Sequence, residues 1–82
     1  MLKVRFEFEG ASCEEIARLI EELSPYLPYK IWYHEGSVYA SLEFHSLLGV
    51  RRLIEALNSK GLAFRLVGLV KRHDQLANKG IR

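Results

Sequence analysis

The sequence predicts an α+β domain of six elements in the order βαββαβ, and three observations carry that expectation. Leu2, Val4, Phe6 and Phe8 alternate with Lys3, Arg5, Glu7 and Glu9, the period of two that marks a strand with one buried face. Apolar residues recur at helical spacing over Ile16, Leu19, Ile20 and Leu23, and again over Leu47, Val50, Leu53, Ile54 and Leu57. Between these stretches, Tyr29 to His34 and Ser37 to Phe44 are rich in aromatic and β-branched residues and flank Glu35-Gly36, the pattern of a hairpin with a two-residue turn.

Each element has its own punctuation. Gly10 breaks the first strand, and Ser12 with Glu15 three residues later forms a capping box that starts a helix near Cys13. Ser24-Pro25 stops it, and Pro28 keeps the connection extended. The turn fixes the hairpin register: with His34 opposite Ser37, Tyr33 faces Val38, Trp32 faces Tyr39, Ile31 faces Ala40 and Lys30 faces Ser41. Val38, Ala40, Leu42 and Phe44 are the apolar parity of the third strand, so Ile31 and Tyr33 point inward with them. Ser46 caps the second helix, and Gly61 suits the left-handed residue that ends it. Leu62, Phe64 and Leu66 alternate into a last strand, where Gly68 followed by Leu69 and Val70 shifts the parity as a bulge does.

Two βαβ-type halves with right-handed crossovers place two helices on one face of a four-stranded antiparallel sheet, the ferredoxin-like plait, with expected strand order 4-1-3-2. Residues 1–70 form this single domain, and residues 71–82 are expected to be a basic, mobile tail carrying Lys71, Arg72, Lys79 and Arg82 against one acid, Asp74. At 82 residues and 49% apolar content, two domains do not fit and a folded chain is expected. A single cysteine, Cys13, excludes an internal disulfide. With no signal-like start and no long apolar run, the chain is expected to be cytoplasmic, without a membrane role. A net charge of +2 is too small to announce a polyanion partner by itself.

Function must then be sought on the face of the sheet that the helices leave open. That face is expected to carry Lys3, Arg5 and Glu7, then Lys30, Trp32 and His34, then Tyr39, Ser41 and Glu43, and finally Arg65 with Val67. Aromatic rings among cations suit single-stranded nucleic acid, because bases stack on rings while Lys and Arg neutralise phosphates. Lys71 and Arg72, directly after the last strand, would extend the phosphate track. Protein interfaces enrich Trp, Tyr and Arg too, so the same face suits a second chain equally well.

Two families are similar to parts of this pattern. Val38-Tyr39-Ala40-Ser41-Leu42-Glu43-Phe44 resembles the third-strand motif of the RNA-recognition motif family, and Glu55-Ala56-Leu57-Asn58 before a turn and a final strand resembles that family's second-helix ending. The resemblance covers about the last half of the chain and implies base stacking on Tyr39. Ser41 replaces the family's second ring on that strand, and Lys3 and Arg5 stand where it places an aromatic on the first strand, leaving Trp32 to supply the other ring. The helix running into Leu23-Ser24-Pro25, the hairpin, and the helix with Arg51 and Ala56-Leu57-Asn58-Ser59 resemble the small dimerisation subunit of the KEOPS tRNA-modification complex. That family ordinarily ends at its second helix, whereas a strand follows here.

Catalytic and metal chemistry find little footing. Cys13 at a helix start has no histidine placed by sequence to act as its base, and a small apolar role under the helix is the expectation. His34, His45 and His73 lack metal-ligand spacing, no glycine-rich phosphate loop occurs, and Glu14, Glu15, Glu21 and Glu22 read as a solvated helix face. The expectation is a non-enzymatic RNA-associated module needing no cofactor or metal, with Lys3, Arg5, Lys30, Trp32, His34, Tyr39, Arg65, Lys71 and Arg72 as its contact residues. The alternative is a dimerising or adaptor subunit of a larger complex, such as a tRNA-modifying one, with the open face as its protein interface.

Overall fold

In the computed structural model, residues 1–71 are described, and they form β1 (Leu2–Glu9), α1 (Cys13–Leu23), β2 (Tyr29–His34), β3 (Ser37–Phe44), α2 (Leu47–Ser59) and β4 (Ala63–Lys71). The expected tail beyond position 71, Arg72 included, lies outside the described residues. The four strands make one antiparallel sheet in the order β2-β3-β1-β4, which counted from the β4 edge reads 4-1-3-2.

Local sequence explains where each element begins and ends. At α1, the Glu15 amide donates to Ser12 Oγ at 3.1 Å and the Ser12 amide donates to Glu15 Oε1 at 2.8 Å, so two of the helix's unpaired donors are satisfied reciprocally. At α2, the Gly49 amide donates to Ser46 Oγ at 3.4 Å, and Gly61 takes the left-handed conformation (φ 75°) that turns the chain into β4. The β2–β3 turn puts both central residues at positive φ, 50° for Glu35 and 87° for Gly36, as the strand twist requires of a two-residue hairpin. Glutamate has no side-chain advantage there, so Glu35→Asn is expected to stabilise the fold by roughly 0.5–1 kcal/mol in chemical denaturation, by easing left-handed strain. An unchanged midpoint would mean that the turn carries no such strain.

The core lies between the helices and one face of the sheet. Val4, Phe6 and Phe8 from β1 and Val38, Ala40, Leu42 and Phe44 from β3 are buried with Ile16 and Ile20 from α1 and Val50, Leu53 and Leu57 from α2. The sheet residues all share one parity, so both helices cover the same face. Phe6, Phe8 and Phe64 form an aromatic knot with ring centroids 5.8–6.2 Å apart. Among the described residues, no helix is long and apolar enough to cross a membrane.

Three placements differ from the sequence reading. Tyr33 has the inward parity but is exposed, because it sits beside the turn on the edge strand β2 where the helices no longer reach. Leu47 is exposed in the first turn of α2, ahead of the point where that helix meets the sheet. Lys71 belongs to β4 rather than to a tail: Arg5 pairs with Gly68 but Phe6 pairs with Leu66, so Val67 is an extra residue and the parity of β4 flips beyond it. Lys71 therefore stands opposite Leu2, on the helix-covered parity, and not beside the open-face cations.

Candidate nucleic-acid or protein interface

On the open face the strands bring residues together in cross-strand rows, and the hairpin register is the one the turn predicts. One row runs Trp32, Tyr39, Glu7, Arg65 across β2, β3, β1 and β4. The next runs Lys30, Ser41, Arg5, Gly68, and β1 and β3 add Lys3 opposite Glu43. His34 lies at the turn end, opposite Ser37, with its ring 6.4 Å from that of Tyr39 and its Nε2 3.6 Å from the Glu35 carboxylate.

Contacts within the first two rows make one connected unit. The Trp32 and Tyr39 rings stack with centroids 5.7 Å apart and planes 12° from parallel. The Arg5 guanidinium lies 5.2 Å from the centroid of the Trp32 ring, a cation–π contact. Arg5 is directly opposite Ser41 and Trp32 is on the strand beyond it, so the arginine reaches diagonally across that small residue. Ser41 is buried there although it faces the open side.

Glu7 is the residue that sequence reasoning placed on this face without giving it a role. Only 8% exposed, it accepts from Arg65 Nε at 2.6 Å and from the Tyr39 hydroxyl at 3.4 Å. The Arg65 hydrogen bond, followed by one from Ser37, holds its carboxyl below the ordinary value, against a weaker opposing push from burial. Arg65 is in turn held more firmly protonated by Glu7. Its own side chain is largely exposed, so the arginine caps a carboxylate sunk into the sheet. The pairing was not legible beforehand, because the bulge hides the β1–β4 register.

A carboxyl with a lowered folded value contributes stability that is fully present above its unfolded value, near 4.5, and is lost as pH falls through the folded value. Glu7→Gln is therefore expected to flatten the acid limb of a melting-temperature profile below about pH 4.5. Superimposable acid limbs for the two proteins would assign that limb to other carboxylates.

Of the sequence-derived contact residues, Lys3, Arg5, Lys30, Trp32, His34, Tyr39 and Arg65 thus share one face, while Lys71 does not. Three of them are already engaged in ways that matter for binding: Arg65 is held by Glu7, and the Trp32 and Tyr39 rings are stacked on each other. Cys13, the part-buried first residue of α1, packs against the core. Among the described residues, no group of three His, Cys, Asp or Glu side chains could hold a metal ion. Comparison with protein-family models, with curated proteins and with solved structures finds no match to this chain.

Proposed function

We propose that this chain is a non-enzymatic module that binds single-stranded RNA on the open face of a ferredoxin-like sheet and acts in the cytoplasm. The observation that carries the reading is the Arg5–Trp32–Tyr39 stack with Lys3 and Lys30 on the same strands as Arg5 and Trp32 and on the same face. A pre-stacked ring pair is a rigid platform on which one further base can extend the stack, and the cations beside it meet the phosphates on either side. The likeness of Val38 to Phe44 to the third strand of RNA-recognition motifs supports the same use of Tyr39.

A second reading is favoured by Glu7. A buried, ionised carboxylate at the middle of the face, neutralised by Arg65, gives the surface both signs of charge, which suits an adaptor or dimerising role with the face turned to protein. Trp32 is the only tryptophan, so its emission reports the face directly. Titration with a short single-stranded RNA is expected to quench that emission saturably, with a midpoint that weakens as salt rises. Unchanged emission, with no RNA bound in a parallel anisotropy titration, would overturn the RNA reading in favour of the protein one.

A further inference from the structure

Past the two rings, the open face ends in a recess of about 230 Å³ lined by Glu7, Glu9, Ala63, Phe64 and Arg65. The register puts it at the β1–β4 side of the sheet, where Glu7 stands opposite Arg65 and Glu9 opposite Ala63. Arg65 is anchored there through Nε, whose hydrogen Glu7 takes at 2.6 Å, while the side chain stays 73% exposed. That bond fixes the guanidinium and leaves its Nη end, a planar fork of N–H donors, for a ligand. Glu9 is exposed on the same face and adds acceptor oxygens at a second point of the rim.

Charge decides what kind of ligand the fork suits. Glu7 neutralises Arg65 and Glu9 adds a smaller attraction of the same sign, so this end of the face is a poor place for a phosphate. Lys3, Arg5 and Lys30 lie on the other side of the ring row from Glu9, and phosphates belong with them. A neutral base edge is what remains, and single-stranded RNA exposes both the Watson–Crick and the Hoogsteen edges of its bases. Guanine has two adjacent acceptors, O6 and N7, on one edge and two adjacent donors, N1–H and the N2 amino group, on the next. Adenine alternates donor and acceptor, uracil does the same, and cytosine has an acceptor pair with a single donor group beside it. The recess is also small: it falls below the roughly 300–1,000 Å³ of pockets for drug-sized ligands, so it suits one flat ring system.

We propose that this recess reads a guanine of the bound strand, with the Arg65 fork on O6 and N7 and the Glu9 carboxylate on N1–H and the N2 amino group. The inference rests on the RNA reading of the open face and adds a base preference to it. Tyr39 and Arg65 stand two strands apart in one row, roughly 10 Å, so the base that is read lies next to the one stacked on the rings.

The test is fluorescence anisotropy with the full chain and end-labelled RNA octamers, uridine throughout except for one central base. Guanine there is expected to bind at least about fivefold tighter than adenine, cytosine or uracil, the lower end of what one bidentate pair discriminates. Two analogues separate the contacts: 7-deazaguanine removes N7, hypoxanthine removes the N2 amino group, and each should lose most of the preference. Arg65→Lys keeps a charge beside Glu7 but not the fork, so it should bring guanine and 7-deazaguanine to equal affinity. Glu9→Ala, at an exposed position, should do the same for guanine and hypoxanthine; should Arg65→Lys fail to fold, Glu9→Ala and the analogues decide. Equal affinity for the four central bases, or a preference for cytosine, overturns the inference while the RNA reading stands. A guanine preference that both variants retain places the reading elsewhere on the face and overturns it as well. Binding to none of the octamers, with Trp32 emission unchanged, removes the RNA reading and this inference together.

Discussion

Replacing Phe6 by alanine is expected to cost about 3–5 kcal/mol of folding free energy, the range for truncating a fully buried aromatic. Phe6 is fully buried on β1, an inner strand of the sheet, with its ring against those of Phe8 and Phe64. Its cross-strand neighbour on β3 is Ala40, so no large side chain on that side can swing into the space left behind. The walls of the void belong to β1, β3, β4 and the helices above them, and collapse would require several elements to move together. Small domains hold about 5–15 kcal/mol in total, so the loss is a large fraction of the whole. Denaturant unfolding measures it through a lowered midpoint. A change under about 1 kcal/mol would contradict the placement of β1 in the core. The exposed Leu47 provides the contrast, since a substitution there should fall within roughly 0.5 kcal/mol of the parent.

The largest effect expected on binding belongs to Trp32. If the open face takes single-stranded RNA, Trp32→Ala should weaken the complex by about 1–3 kcal/mol, from roughly fivefold to more than a hundredfold, as loss of a stacking ring does. The effect should exceed that of removing a lysine, because the substitution also frees Tyr39 and Arg5, which the indole now holds in place. A double-mutant cycle with Arg5→Ala separates the parts: a coupling of about 0.5–1 kcal/mol is expected if the cation–π contact organises the platform. Anisotropy titrations at a single salt concentration give all four affinities. An affinity unchanged in Trp32→Ala would remove the platform from the site.

Most of the frame could be read from the sequence because its signals are local. The alternation of Leu2 to Glu9, the Ser12–Glu15 box and the Glu35-Gly36 turn each specify geometry within a few residues, and the hairpin register follows from the turn alone. That register is also what made the Trp32–Tyr39 pairing legible. What escaped depends on residues far apart in the chain. The Glu7–Arg65 pair rests on the β1–β4 register; the parity shift expected at Gly68 is present, but its extra residue is Val67, and that position decides which side chains of β4 face which way. Lys71 was assigned to the tail because its charge matched the residues after it, whereas backbone pairing with Leu2 keeps it in the strand. Tyr33 and Leu47 obey their periodicity yet remain exposed, since parity gives a direction and not the extent of the cover above it.

The position of β1 also governs the order in which the structure can assemble. The hairpin β2–β3 closes through a two-residue turn and can form within microseconds. β1 lies between β3 and β4, so it must wait for a strand from the middle of the chain and another from its far end. Its pairing with β4, from Glu9 opposite Ala63 to Leu2 opposite Lys71, closes the longest loop in the sheet. Contacts so distant in sequence slow folding toward milliseconds, because chain entropy is lost before they form. Until β4 arrives, one edge of β1 is unpaired and Phe64 has yet to join Phe6 and Phe8. Docking of β4 is thus what completes the aromatic knot, and it joins the two strands most distant in the chain.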